Sequence, residues 1–425
     1  MIIVLLVFII TIAIGLPIAY VLGSTAITHA ILMGDVKLFA MLPQRMFAAV
    51  NNFSLMAIPL FILAGEIMGF GGITEKLANM MRAFIGHIKG GIAYTTVLVG
   101  TALGALLGSA NASAALLGDT MFEEMRKDGY EDGFSASLIA GTSLLGPIIP
   151  PSMVFIVFGV AANVSVAKLF FAGIIPGLMM TCGYFALIGI YVKNRDIPTH
   201  PRIRLKDVIK NVLEAVPALI VPVVILGGIL GGITTPTEAA ASACFTALIV
   251  GAFIYRKLKW SQLPHILERT GVISASILFI VAMSNILGWT LALDQIPTMI
   301  AEALLAITTN KYILLLLINI LLFIVGMVME TTAAIIILVP VLLPVINAVG
   351  IDPLHFGIVM CINLIIGMLT PPVGITLFTT AQVTKVPSNV LVKQIWPWIG
   401  IATLVLIIIT YVPAIVTFLP NLLLK

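Results

Sequence analysis

Long apolar stretches separated by short polar loops dominate the chain. A helix needs about 20 apolar residues to cross the hydrocarbon core of a bilayer, and stretches of that kind recur along the sequence. They lie at about 53–70, 168–192, 211–230, 236–255, 271–291 and 396–419. Because proline ends a helix, Gly15-Leu16-Pro17 divides the first 33 residues into two shorter predicted crossings, 1–14 and 17–33.

Four further apolar segments are interrupted near their middle by glycine, proline or small polar residues. They are two predicted hairpins, 91–125 and 311–347, and two predicted broken helices, 134–163 and 356–383. The hairpins turn around Ser109–Ser113 and Glu330–Thr332, and the helices break at Gly146–Pro151 and Gly367–Pro372. Since unpaired backbone groups cannot lie in lipid, these interruptions indicate a cavity lined by protein.

The interrupted segments recur at a fixed offset. Gly146 and Pro150-Pro151 are matched 221 residues later by Gly367 and Pro371-Pro372. The chain therefore reads as two copies of one unit, 1–192 and 211–425, joined by the linker 193–210. The alternative for any one segment is that its small residues and prolines only allow close packing or a kink.

Basic residues predict opposite orientations for the two copies. The linker 193–210 and the loop 256–259 are rich in Lys and Arg and are expected in the cytoplasm. Arg126-Lys127, after the first hairpin, also reads as cytoplasmic, whereas 347–355 has no Lys or Arg and reads as external. An inverted repeat with broken helices is typical of secondary transporters. The predicted fold is thus an all-α polytopic membrane protein of that kind.

Two amphipathic stretches precede the hairpins, one in each copy. They are 71–89 and a shorter, acidic stretch at 292–303. Helices lying along the membrane interface could act as arms between a fixed scaffold and a moving hairpin. The alternative is a plain surface helix.

Composition limits the function. Charged residues make up 9% of the 425 residues, against about 25% in a soluble domain, and the mean hydropathy is +1.19. These values exclude a soluble enzyme and a nucleic-acid binder. Cys182, Cys244 and Cys361 are dispersed along the sequence, so we expect them to be small buried apolar side chains. The histidines lack the spacing of metal ligands, so we expect them to be solvated or interfacial.

The interrupted segments carry oxygen donors and no basic side chain. A hard cation such as Na⁺ prefers oxygens, which side chains at both tips and at the second break supply beside free carbonyls. These side chains are Ser109, Asn111, Ser113, Thr331, Thr332 and Thr370. Glu330 could orient its tip or help neutralise a cation. An anionic substrate would need bound Na⁺ and helix dipoles to offset its charge. The sequence shows no ring of charges of the kind that would indicate a channel. It also shows no nucleophile–base pair of the kind that would indicate an enzyme.

Several motifs resemble one known family. They are Ser54-Leu55-Met56-Ala57-Ile58-Pro59-Leu60-Phe61-Ile62-Leu63-Ala64-Gly65, Gly108-Ser109-Ala110-Asn111-Ala112, Asp128-Gly129-Tyr130 and Gly146-Pro147-Ile148-Ile149-Pro150-Pro151-Ser152. Together they are similar to the large membrane subunit of tripartite ATP-independent periplasmic (TRAP) transporters, over essentially the whole chain. Asn111 and Ser113 depart from the residues that family members often have there.

The resemblance implies a function and a site. It implies a Na⁺-driven elevator importer of organic acids, including sialic acids and C4-dicarboxylates, in the bacterial inner membrane. One implied Na⁺ site involves Ser109, Asn111 and Ser113 with Gly146 to Pro150. The other involves Thr331-Thr332 with Gly367, Met368 and Thr370, and Glu330 is expected beside it. Substrate would lie between the tips, where its expected contacts are Ser109, Ala110, Asn111, Ser152, Thr331 and Thr332.

The resemblance also implies partners. They are a periplasmic substrate-binding protein and a small four-helix membrane subunit, expected as a separate chain because this one opens almost directly on the large subunit's own first crossings. The competing hypothesis is a stand-alone Na⁺/dicarboxylate symporter that needs no binding protein.

Overall fold

The computed structural model describes residues 2–34, 36–193, 195, 197–199 and 204–424, without the side chains at 36, 37, 103–107, 301 and 304. Within these ranges the regular elements are helices, and no strand is present. The predicted linker 193–210 falls outside the described residues at 194, 196 and 200–203.

Ten helices form in the described part of the first half. They are α1 (Ile2–Ala13), α2 (Ile18–Met33), α3 (Val36–Val50), α4 (Ala57–Phe70), α5 (Ile73–Ile85), α6 (Gly91–Leu107), α7 (Ala110–Lys127), α8 (Asp132–Ser143), α9 (Met153–Ala162) and α10 (Val166–Lys193). Their ends follow local sequence: Pro17 precedes α2, and Gly34 ends it in the left-handed conformation that glycine favours.

Eleven helices form in the described part of the second half. They are α11 (Leu205–Leu230), α12 (Pro236–Ile249), α13 (Leu263–Leu293), α14 (Ile296–Ile307), α15 (Lys311–Val328), α16 (Thr331–Ala348), α17 (Pro353–Gly367), α18 (Ile375–Thr384), α19 (Ser388–Gln394), α20 (Trp396–Tyr411) and α21 (Pro413–Leu423). A capping box of Thr235 and Glu238 starts α12.

The fold is that of a polytopic membrane protein. Among the described residues, seven helices are long and apolar enough to cross a bilayer, or eight if the bent pair α19–α20 counts as one span. Large apolar side chains such as Val223, Phe245 and Ile320 are exposed on them. A helix can be apolar on both its buried and its exposed face when lipid surrounds it. The all-α fold class predicted from the sequence is therefore confirmed.

Three details differ from the sequence predictions. The apolar stretch 396–419 is two helices, because the chain bends at Val412, directly before Pro413. The second arm begins later than 292, because α13 continues to Leu293 and a turn at Gln295 starts α14. Cys182 was expected to be buried but is exposed on an apolar helix.

Each broken helix packs against the hairpin of the other half of the chain. Helices α7 and α16 begin 221 residues apart and also end 221 residues apart. Helix α9, after the first break, packs against α16 of the second hairpin, and α18, after the second break, packs against α7 of the first. We call α7, α9, α16 and α18 the tip helices. The inverted orientation of the two halves stays a prediction.

A second group of helices packs beside the tip helices. These are α2, α3, α4, α11, α12 and α13, which we call the scaffold helices; α13 contacts α2, α3 and α4, and α12 contacts α4 and α11. The first arm, α5, connects the two groups. Its Lys76 Nζ lies 2.6 Å from Glu214 Oε2 of α11, and its Arg82 Nη2 lies 2.6 Å from Glu124 Oε2 of α7.

Helices α15 and α17 cross at a glycine pair. A Cβ built on Gly367 would lie 2.5 Å from the Cα atom of Gly326, and a Cβ on Gly326 would lie 2.9 Å from the carbonyl oxygen of Leu364. Only glycine allows the two backbones to approach so closely. Gly367 therefore sets the distance between the second hairpin and its broken helix.

This crossing makes a testable prediction. Gly367→Ala should destabilise the protein by about 1–3 kcal/mol, because backbone atoms have to move to accept the methyl group. Gly69→Ala is the matched control, since its Cβ would meet no atom within 4 Å. The melting temperatures of the purified variants in detergent check this; equal melting temperatures would contradict the close crossing.

Candidate functional site

Four helices start at the interruptions of the membrane segments. In the described part of the chain these are the tip helices, whose N-cap residues are Ser109, Ser152, Glu330 and Gly374. The N-terminus of a helix carries free N–H groups and a partial positive charge. The tips and breaks themselves contain no Lys or Arg. Backbone dipoles are therefore the positive charge that the chain provides here.

The first tip is held by short polar side chains. Ser109 Oγ accepts a hydrogen bond from the Ala112 N–H at 3.5 Å, and Ala110 is buried. Thr376 Oγ1 of α18 donates to Asn111 Oδ1 at 2.9 Å. This bond joins the tip of the first hairpin to the helix that follows the second break.

Oxygen atoms surround Gly146, where the first tip meets the first break. A Cβ built there would lie 2.6 Å from Ser113 Oγ, 3.1 Å from the Ser143 carbonyl oxygen and 3.3 Å from the Ser109 carbonyl oxygen. Ser113 is fully buried, and its hydroxyl has no hydrogen-bond partner among the described residues. A buried hydroxyl without a partner is unfavourable, and a hard cation beside it would supply one.

The first break is closed by its own serine. Ser152 Oγ donates to the Pro147 carbonyl and accepts from the Phe155 N–H at 3.3 Å, and the side chain is fully buried. Pro150 lies between these residues, in a cis peptide with Pro151. Because the Ser152 hydroxyl both donates and accepts a hydrogen bond here, it stabilises the conformation of the break. Its contact with substrate stays a prediction.

The second tip is capped by a carboxylate. Glu330 Oε2 accepts from the Ala333 N–H at 3.1 Å, and Glu330 Oε1 accepts from Thr332 Oγ1 at 3.0 Å. Thr331 is buried, and its hydroxyl lies 2.9 Å from the sulfur of Met368. Glu330 thus orients the tip and places a carboxyl group there.

At the second break, backbone groups bond one another. The Met368 carbonyl accepts from the Thr376 N–H at 3.1 Å, and the Gly367 carbonyl accepts from the Thr370 N–H at 2.9 Å. Thr370 Oγ1 donates to the Ile366 carbonyl at 2.9 Å. Each carbonyl oxygen keeps a second lone pair, so these oxygens can still face a cation.

The residues proposed from the sequence form one connected region. The first tip touches the first break at Gly146 and the second break through Asn111, and the second break touches the second tip through Met368. No group of three His, Cys, Asp or Glu side chains in the described ranges could hold a transition metal. The candidate cation ligands in this region are hydroxyl, amide and carbonyl oxygens together with the Glu330 carboxyl group.

Sequence reasoning missed several polar contacts. Thr376 was not proposed, although a threonine one turn after a break is the kind of residue that could face the other hairpin. His29 and His355 were expected to be solvated or interfacial, but both are 2% exposed. His355 Nε2 lies 2.8 Å from the Ile409 carbonyl oxygen, and His29 Nε2 lies 2.7 Å from Asp294 Oδ2 at the end of α13. That contact joins two scaffold helices next to the second arm.

Comparisons with known proteins agree on one family. Residues 5–415 match the family described as the tripartite ATP-independent periplasmic transporter, DctM component. An isethionate TRAP transporter permease protein DctMQ of Oleidesulfovibrio alaskensis is 41% identical over 97% of the chain, which spans 65% of that protein's length. A C4-dicarboxylate TRAP transporter large permease protein of Pseudomonas aeruginosa is 38% identical, over 89% of this chain and 88% of its own.

A solved structure shares the fold. The YdaH transporter of Alcanivorax borkumensis superposes with a TM-score of 0.63 over 89% of each chain, at 15% sequence identity. At that identity the likeness concerns the fold alone.

The Asn111–Thr376 bond leads to a prediction. Asn111→Ala and Thr376→Val should each destabilise the protein, and together by about 1 kcal/mol less than the sum, because either one removes the same bond. Thr379→Val is the control partner, since Thr379 Oγ1 donates to its own helix at Ile375. Unfolding titrations of the wild type, the three single variants and the two double variants with Asn111→Ala, in mixed detergent micelles, measure the coupling. If the losses of stability were additive with Thr376→Val as well as with Thr379→Val, the result would contradict a bond between the two halves.

Proposed function

This chain belongs to the DctM component family of tripartite ATP-independent periplasmic transporters, and from that premise we propose that it imports an organic acid anion together with Na⁺. The relatives are transporter permeases, and the chain is a multi-pass protein of the bacterial inner membrane. The family is tripartite, so a small membrane subunit and a periplasmic binding protein accompany it.

One observation carries the proposal: four helix N-termini start at a membrane region that has no basic side chain. Their dipoles favour an anion, but the Glu330 carboxylate at the second tip opposes one. A bound cation would offset that carboxylate and part of the charge of the substrate. Substrate binding would then depend on Na⁺, which is the linkage that a symporter needs.

The first tip provides the better-supported cation site. Ser113 Oγ and the carbonyl oxygens of Ser109 and Ser143 surround one small space beside Gly146. We assign Na⁺ to this space, with Asn111 and Pro150 at its edges. The second site is assigned to Glu330, Thr332 and Thr370 with the carbonyls of Gly367 and Met368. The substrate would then lie between the tips, against Ser109, Ala110, Asn111, Thr331 and Thr332.

The division into scaffold and tip helices supports movement of an elevator type. The arm α5 is ion-paired to both groups, and partly exposed pairs of this kind are weak enough to break during movement. The tip helices with both ion sites would cross the membrane as a unit against the scaffold helices. A small four-helix subunit would stabilise the scaffold, and a periplasmic protein would deliver the acid.

The transported acid is proposed only as a class. A carboxylate or sulfonate of small size fits four helix N-termini, and sialic acids and C4-dicarboxylates belong to this class. The alternative, a stand-alone Na⁺/dicarboxylate symporter, differs in needing no binding protein.

Uptake by the reconstituted assembly tests the coupling. Replacing external Na⁺ by K⁺ or choline should abolish uptake of the radiolabelled acid, and omitting the binding protein should reduce it to background. Undiminished uptake in choline would contradict Na⁺ coupling. Undiminished uptake without the binding protein would favour the stand-alone symporter.

Variants at the first tip test the assigned Na⁺ site. Ser113→Ala should raise the half-saturating Na⁺ concentration by about tenfold, because it removes an oxygen ligand of the cation, a loss comparable to the roughly 1.5–3 kcal/mol of a hydrogen bond to a charged group. Gly146→Ala should raise it further, because its methyl group fills the space. Ser135→Ala is the matched control, since Ser135 is an equally buried serine whose hydroxyl has no partner among the described residues. An equal effect of Ser135→Ala would indicate a packing role for Ser113.

A further inference from the structure

A second polar space lies away from the tips. It is a cavity of about 400 Å³ between scaffold helices α3 and α13 and tip helices α9 and α16. Its lining from α13 lies at residues 281–289, near the end of that helix opposite the basic loop 256–259. By the positive-inside rule this end is external. The cavity therefore faces the side from which a substrate would arrive.

The cavity is lined by one basic side chain and, among the described residues, by no carboxylate. Arg45 lines it together with Asn52, Asn285 and Trp289. Arg45 forms no ion pair with any residue that the structure describes. Its guanidinium carbon lies 5.1 Å from the centroid of the Trp289 ring. Stacking on the ring orients the guanidinium and leaves its edge N–H groups free to donate.

Asn285 indicates that the cavity is open to water. This residue lies within the spanning helix that ends at Leu293, and its side chain is exposed. An exposed amide facing hydrocarbon is costly, whereas polar side chains of membrane helices commonly face an aqueous cavity. A charged small molecule can therefore reach Arg45 without crossing lipid.

The wall of the cavity connects to the moving part of the proposed transporter. Pro340 of α16 has no N–H, so the Ile336 carbonyl lacks its usual partner within the helix. Ser284 Oγ of α13 donates to that carbonyl at 3.0 Å, and all three residues line the cavity. Scaffold and tip helices are thus joined beside Arg45, and a shift of α16 would change the shape of the cavity.

We propose that this cavity is an external anion-binding site, in which the Arg45 guanidinium receives the carboxylate or sulfonate of the transported acid before the acid reaches the hairpin tips. The inference rests on the proposed function for its direction of transport. The ligand is a small organic anion, because a planar guanidinium binds both oxygens of such a group. Asn52 and Asn285 provide amide groups for its remaining polar atoms.

Charge-selective labelling of the cavity tests the proposal. In the reconstituted assembly in phosphatidylcholine vesicles, Cys182, Cys244 and Cys361 are replaced by alanine and Asn285→Cys is introduced. Two membrane-impermeant thiosulfonate reagents are added outside, one carrying a sulfonate and one a quaternary ammonium group. The ratio of their rates cancels changes in the reactivity of the thiol. It therefore reports the attraction of the cavity for anions.

Arg45→Gln should lower the ratio of sulfonate to ammonium labelling by roughly tenfold, because one positive charge acts with opposite sign on the two reagents. Lys311→Gln is the matched control: Lys311 also lies 5.1 Å from an aromatic ring, that of Tyr312, but does not line the cavity. An unchanged ratio in Arg45→Gln, or no labelling of Asn285→Cys, would overturn the proposal.

Protection by ligands separates a substrate from a lipid headgroup. Millimolar isethionate or succinate should slow the labelling of Asn285→Cys at least twofold, and should not do so when Arg45→Gln is also present. Slower labelling only when phosphatidylglycerol is added to the vesicles would overturn the proposal in favour of a lipid site. These measurements need no Na⁺, so they succeed or fail independently of the Na⁺ coupling of uptake.

Discussion

Every backbone N–H and C=O group that leaves a helix inside the bilayer must find a partner within the protein. In the described part of the chain, apolar segments are interrupted four times, at two tips and two breaks, and polar groups of the protein close each interruption. Ser109 and Glu330 cap the two tips, and the Ser152 hydroxyl bonds on both sides of the first break. At the second break the Met368 carbonyl accepts from the Thr376 N–H. The proposed site would use the groups that these closures leave free, which are N–H groups at the helix starts and second lone pairs of carbonyl oxygens.

The scarcity of charge follows from the same constraint. A basic side chain at this depth would need a permanent counter-charge. Without that counter-charge, the basic side chain would bind an anionic substrate too tightly to release it. Helix N-termini provide a weaker positive potential that is fixed by the fold. In the proposed mechanism, Na⁺ supplies the remainder only while it is bound. In that mechanism the positive charge at the tips would depend on external Na⁺, and the Na⁺ gradient would be the driving force.

The sequence predicted the interruptions well because glycine, proline and small polar residues act on the chain locally. The hairpins turn and the helices break where Ser109, Gly146, Glu330 and Gly367 indicated. Contacts between distant segments were not predictable in this way. The Asn111–Thr376 and His29–Asp294 contacts each join residues 265 positions apart, and neither residue of such a pair carries a local signal for the other. The burial of His29 was missed for this reason, because a histidine near a helix end is usually solvated.

The bond from Ser284 to the Ile336 carbonyl gives the external cavity a mechanical role as well as a binding role. If α16 moves along α13, this bond breaks, and a buried carbonyl without a partner costs about 1–3 kcal/mol. A water molecule in the adjoining cavity can replace the hydroxyl as donor, which lowers that cost. Pro340 makes the arrangement possible, because it frees the carbonyl permanently and so lets the partner change without unwinding the helix. At this place along the boundary between scaffold and tip helices, the bond can therefore be exchanged for one to water when α16 moves.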